Sequence, residues 1–120
     1  MAWTTEDAPE VETDLEAIYD HLFASHLGFG NSEREAAMLA AQRVDGIAAT
    51  RLEIARTPYR GTLHSVRGRS HRHVTIDRAI YWFTLDEGAE VLRVEAIFFG
   101  GQDHAGRMFA RLTSEGEGAP

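Results

Sequence analysis

The chain has 120 residues, 43% hydrophobic and 26% charged, with a formal net charge of −7; that length suits one domain with a modest core and not two. Having no cysteine, it can build neither a disulfide framework nor a thiolate metal site. No apolar run approaches the roughly 18 residues of a membrane span, and the opening MAWTTEDAPE is acidic where a signal peptide is basic and then apolar, so a cytoplasmic location is expected.

In chain order, a short edge strand is expected around residues 2–5, followed by a helix from Pro9 to Phe29. Leu15, Ile18, Tyr19, Leu22 and Phe23 recur at helical spacing, with Glu12, Asp14, Glu16 and Asp20 assigned to the polar side. The helix should end in LGFGN. Ser32-Glu33-Arg34-Glu35 has the form of a capping box, and it opens a second helix that reaches about Arg56. Its apolar side reads Ala37, Ala40, Ala41, Val44, Ile47, Ala48 and Leu52. Small alanines allow close approach, so the two helices should form an antiparallel hairpin.

After Thr57-Pro58 the period changes. Segments 73–76, 79–85 and 90–99 are rich in β-branched and aromatic residues and are separated by short turns, which predicts an antiparallel meander. Leu92, Val94, Ala96 and Phe98 are uniformly apolar and are expected to face the helices. Tyr81, Trp82 and Phe83 read as sheet core. A short helix over 105–112 and a flexible acidic tail over 113–120 complete the reading. The expected fold class is α+β: a helical hairpin on a three- to four-stranded antiparallel sheet, with one domain over 1–112.

The charge is unevenly spread. Residues 1–55 carry eleven acidic side chains against three arginines, whereas 56–82 carry six arginines against Asp77 alone. Arg60, Arg67, Arg69 and Arg72 therefore form a basic patch beside His64, His71 and His73. All twelve basic residues are arginine, whose planar fork suits carboxylates and phosphates; a G+C-rich genome would give the same bias. A solvated loop face and an anion-facing surface both fit this patch. His71 and His73 have the H-x-H spacing of two metal ligands, with His64 or His104 as a third. No carboxylate accompanies them at a recognisable spacing, so neither a metal nor a cofactor is expected, and His73 is the member expected to be partly packed. The adjacent Asp103-His104 lacks a partner nucleophile.

Three segments in order, DLEAIYDHL, RHVTIDRAIYWF and VLRVEAIFFGGQDH, resemble the RelE/ParE superfamily of toxins from type II toxin–antitoxin systems, and the ParE branch in particular. The resemblance spans nearly the whole chain. It implies a toxin that poisons DNA gyrase and is neutralised by a ParD-like antitoxin in a hetero-oligomer, with Leu15, Tyr19, Leu22 and Trp82 as candidates for the antitoxin groove. The alternative it implies is a RelE-like, ribosome-dependent mRNA endonuclease using Arg72, His71 and His104, or a non-toxic remnant that still binds antitoxin. RelE-like cleavage needs several basic groups around the ribose and phosphate. In the positions that would supply them stand Ile80, Gln102 and Met108 or Phe109, and only Arg72 matches. The net acidity argues against direct nucleic-acid contact.

Overall fold

The computed structural model describes residues 3–100 and 104–118, the side chains of 114–118 excepted. Gln102, Asp103 and the last two residues of the expected acidic tail lie outside these residues, while the backbone of 113–118 continues the last helix, which is longer than the 105–112 expected. The elements run β1 (Thr4–Asp7), α1 (Glu10–Gly28), α2 (Glu33–Glu53), a short 3-10 turn (Ile54–Arg56), β2 (Thr62–Val66), β3 (Arg69–Ile76), β4 (Ala79–Asp86), β5 (Val91–Phe99) and α3 (His104–Gly118). The fold is α+β, as expected. Its single sheet has the order β1-β5-β4-β3-β2. β1 runs parallel to β5, and every other pairing is antiparallel.

The sheet is larger than the three or four strands expected, because β2 adds to its far edge and β3 begins at Arg69 rather than His73. The strand missed, TLHSV, exposes most of its length. An edge strand with little apolar content gives only a weak periodic signal. The basic stretch is thus a hairpin: Val66 pairs with Arg69, and Arg67 and Gly68 turn the chain with φ of 53° and 77°. Asp77 and Arg78 close the β3–β4 hairpin in the same way, with φ of 50° and 71°. Arg43 of α2 donates to the Asp77 carbonyl and steadies that turn. Gly61 enters β2 so close to β3 that a Cβ would stand 2.4 Å from the His73 carbonyl oxygen, a position only glycine fits.

The helices form where the sequence places them, but their buried stripes are rotated. Ser32 caps α2 by accepting from the Glu35 N–H at 3.2 Å. The buried positions of α2 are Ala36, Ala40 and Ile47, continuing to Ile54, while Leu52 is 52% exposed. On α1 the buried positions are Val11, Asp14 and Ile18, with Leu15 and Leu22 packed beside them. Tyr19 and Phe23 stack on each other, only partly buried.

Both faces of the sheet are covered. Tyr81, Phe83, Leu92, Val94 and Ile97 meet the hairpin, whereas Ile80, Trp82, Ala96 and Phe98 meet Met108 of α3. This corrects the expectation that Leu92, Val94, Ala96 and Phe98 share a face. Trp82 pairs with Ala96 and Phe83 with Val94, so Glu95 is an extra residue in β5. One extra residue exchanges the faces of everything beyond it. Leu92 and Val94 look toward α1 and α2; Ala96 and Phe98 look the other way.

Candidate functional site

Beneath α3 the topology gathers three histidines from three elements around Trp82. His64 of β2 and His73 of β3 stack with centroids 4.9 Å apart, and His64 Nε2 lies 2.8 Å from His73 Nδ1. His104, at the start of α3, meets His73 edge-on at 4.7 Å. The indole N–H of Trp82 donates to His104 Nδ1 at 3.1 Å, which leaves the proton of neutral His104 on Nε2. Trp82 is itself 0% exposed. Phe109 closes the cluster, edge-on to both Trp82 and His64 at 5.9 Å. Burial first, then the neighbouring His104 and His64, lower the His73 pKa below 6.5. His73 is therefore held neutral near pH 7, in surroundings that are more an aromatic wall than a basic patch. Among the described residues no group of three His, Asp or Glu is arranged to hold a metal ion.

The residues expected to act together in RNA cleavage are separated. Arg72 leaves β3 on the hairpin side, donates to the Tyr59 carbonyl at 2.8 Å and lies over the Tyr59 ring at 5.6 Å. His71 and His104 belong to the opposite side, and His71, not His73, is the most buried histidine at 3% exposure. Ile80 is buried in the α3-side core. The candidate groove residues divide in the same way: Leu15 and Leu22 pack against the hairpin-side core, Tyr19 flanks them on α1, and Trp82 is sealed behind the sheet.

The basic patch is divided too. Arg60, Arg67 and Arg69 are exposed, with Arg67 and Arg69 at the β2–β3 tip and Arg60 in the loop before it. Arg72 is docked on Tyr59, whose ring meets Trp3 edge-on at 5.9 Å.

Sequence reasoning missed Asp14, placed on the polar side of α1. Its residue is 8% exposed. Beyond the end of β1 the edge of β5 has no strand neighbour, and Asp14 Oδ2 accepts the Ile97 N–H at 3.0 Å. Arg111 of α3 completes the site with two bonds to the same carboxylate, at 2.9 and 3.1 Å. One buried acid thus ties α1, β5 and α3 together. The signal available in the sequence was only DLEAIYDHL itself, whose aspartate adjoins the first apolar residue of the stripe.

No protein-family model matches the chain, and no curated protein matches it. Among solved structures it is similar to a chain described as the chromosomal ParDE TA system from P. aeruginosa. The TM-score is 0.62 and the identity 15%, over 83% of this chain and 98% of that one. At that identity the likeness is one of fold alone. No helix among the described residues is long and apolar enough to cross a membrane.

Proposed function

We propose that this chain is the toxin component of a type II toxin–antitoxin system of ParE type, which arrests growth by occupying DNA gyrase and is silenced by a ParD-like antitoxin. The observation that carries the reading is the fold likeness to a ParDE chain over almost the whole of that chain. Two features of the site support binding over catalysis. Arg72 is turned away from His71 and His104, and the histidines that do meet are packed against Trp82 with His73 held neutral. RNA cleavage needs cations and proton carriers converging on one phosphate, an arrangement the described residues do not present.

The test is controlled expression with two readouts. The expected result is growth arrest with a DNA-damage response and loss of supercoiling by purified gyrase, both relieved by a cognate ParD-like antitoxin. Messenger RNA cleaved at codon-defined positions in a translating extract, with gyrase unaffected, would replace the reading with the endonuclease alternative.

A further inference from the structure

The start of α3 is held to the sheet by a bond that only one protonation state of a histidine can make. The Trp82 indole N–H is a donor with no acceptor capacity, and it donates to His104 Nδ1 at 3.1 Å. A second proton on His104 would occupy Nδ1 and set one N–H against the other. Trp82 is 0% exposed, so its N–H would then lose its acceptor while still buried, a penalty larger than the net gain from an ordinary hydrogen bond.

The surroundings act in the same direction. His73 meets the His104 ring edge-on at 4.7 Å, and its Nδ1 lies 2.8 Å from His64 Nε2; that bond needs one of the two nitrogens unprotonated. His71 is buried on the same side of β3. Acid therefore gathers like charges in one ring cluster. Glu95 of β5 is engaged by Thr84 and by Arg93, which also holds Glu6 of β1. Asp14 of α1 is engaged by Arg111 further along α3, and with His21 and Arg107 it lines the cavity there.

The other fastenings of α3 lie mostly beyond its first turn. Met108 is 1% exposed in the core beneath the helix, Leu112 packs beside it, and Arg111 is tied to Asp14. A carboxylate–guanidinium pair keeps both charges well below the pH at which imidazoles titrate. One end of the helix thus has an anchor that acid removes, and the other has one that acid leaves in place.

We propose that α3 is an acid-released lid: protonation of His104 at Nδ1 breaks its bond to Trp82 and lets the start of the helix swing off the sheet about the Asp14–Arg111 pair, uncovering Trp82 while α1, α2 and the sheet stay folded. The inference goes beyond the toxin reading and does not depend on it.

The test uses the full chain carrying Trp3→Phe, which leaves Trp82 as the sole tryptophan, and follows its emission maximum and its quenching by acrylamide. A solvated imidazole takes its second proton near pH 6.5, so between about pH 7.5 and about pH 5.5 the ratio of open to closed molecules should rise about tenfold. The Stern–Volmer constant should rise and the emission move to longer wavelength, reversibly, while a cooperative urea transition persists at the lower pH. His104→Asn places an amide oxygen where Nδ1 stands, an acceptor that does not titrate, and should keep Trp82 shielded at both pH values. His104→Phe keeps a ring without an acceptor and should show raised quenching already at the higher pH. Equal quenching of the parent protein at both pH values, or loss of the urea transition at the lower one, would overturn the proposal. A full acid response in His104→Asn, abolished instead by His73→Asn, would pass the trigger to His73 and overturn it as well.

Discussion

On one face of the sheet, Tyr81, Phe83, Leu92, Val94 and Ile97 meet α1 and α2 mostly through carbon, with the Tyr81 hydroxyl donating to the Ile47 carbonyl and the Ile97 N–H to Asp14; on the other, Trp82 and Phe98 meet α3 beside three histidines and two arginines. The first core joins a large sheet face to two long helices, the arrangement that burial of apolar area stabilises most directly. The second rests on few apolar residues and on polar atoms whose partners must all be present: the Trp82 indole with His104, His64 with His73, and Arg107 and Arg111 over the Phe98 ring at 5.0 and 5.3 Å. Packing with so many directional terms is specific and also fragile. Asp14 on α1 couples the two faces by holding Arg111 on α3.

Emptying the α3 face is expected to produce the largest effect. Trp82→Ala removes a side chain that is 0% exposed, together with the bond to His104, and should cost about 4 kcal/mol in urea denaturation. Trp82→Phe keeps most of the volume and loses the N–H, so it should cost about 1 kcal/mol, the size of one hydrogen bond. Equal losses for the two variants would mean that the indole bond, not the packing, holds that face.

Cutting the link between the faces comes next. Asp14→Ala leaves the Ile97 N–H and the Arg111 guanidinium without their carboxylate, which should cost about 3 kcal/mol. Asp14→Asn retains an acceptor for Ile97 and should fall between. If the ion pair is what secures α3, then in the Arg111→Met background Asp14→Ala should cost markedly less, a coupling read from a double-mutant cycle. Additive losses would assign Asp14 to β5 alone.

His73 gives the α3 face a pH dependence. His73 has a folded-state pKa below the ordinary 6.5, chiefly because it is buried. The unfolded chain therefore binds the proton more readily, and stability declines as pH falls through 6.5 toward the folded value and is level above it. His64 and His104 are the titratable groups that face the same ring. Urea midpoints at about pH 7.5 and about pH 5.5 should differ by less in His73→Asn than in the wild type. An unchanged difference would place the titrating group elsewhere.

The sequence disclosed the parts of the fold that repeat. Caps and apolar periodicity mark α1 and α2, and β-branched runs mark β4 and β5. It concealed what depends on a single residue or on distance along the chain. One extra residue at Glu95 reverses the face of Ala96 and Phe98, and nothing in VLRVEAIFF marks it. Asp14 is polar by composition and buried by circumstance, because its partners stand 83 and 97 residues away. β2 was hidden by its own exposure. Of the candidate site, the histidines were visible as residues, but their gathering around Trp82 requires β2, which periodicity did not show. Arg43 reaches the Asp77 carbonyl only because the β3–β4 turn folds back over α2.

The smallest expected effect on stability belongs to the basic tip, and here too position separates residues that composition groups together. Arg67 and Arg69 project from the β2–β3 turn and are exposed, so Arg67→Glu/Arg69→Glu should leave the urea midpoint within about 0.5 kcal/mol of the wild type. Their influence is on encounter: with an acidic partner such as an antitoxin tail, the association rate should fall at low salt and recover toward the wild-type value as salt rises, since screening acts beyond roughly 8 Å at physiological ionic strength. Arg72, two bonds further into the ordered structure through the Tyr59 carbonyl and ring, should behave oppositely. Arg72→Glu frees Tyr59 and should lower stability by about 1 kcal/mol, with a salt dependence of association close to that of the wild type. A salt series of association rates for the three proteins, with urea melts beside it, decides the matter. Rates unchanged in Arg67→Glu/Arg69→Glu at every salt concentration would show the tip to be a solvated turn, and an Arg72→Glu variant as stable as the wild type would put Arg72 with them.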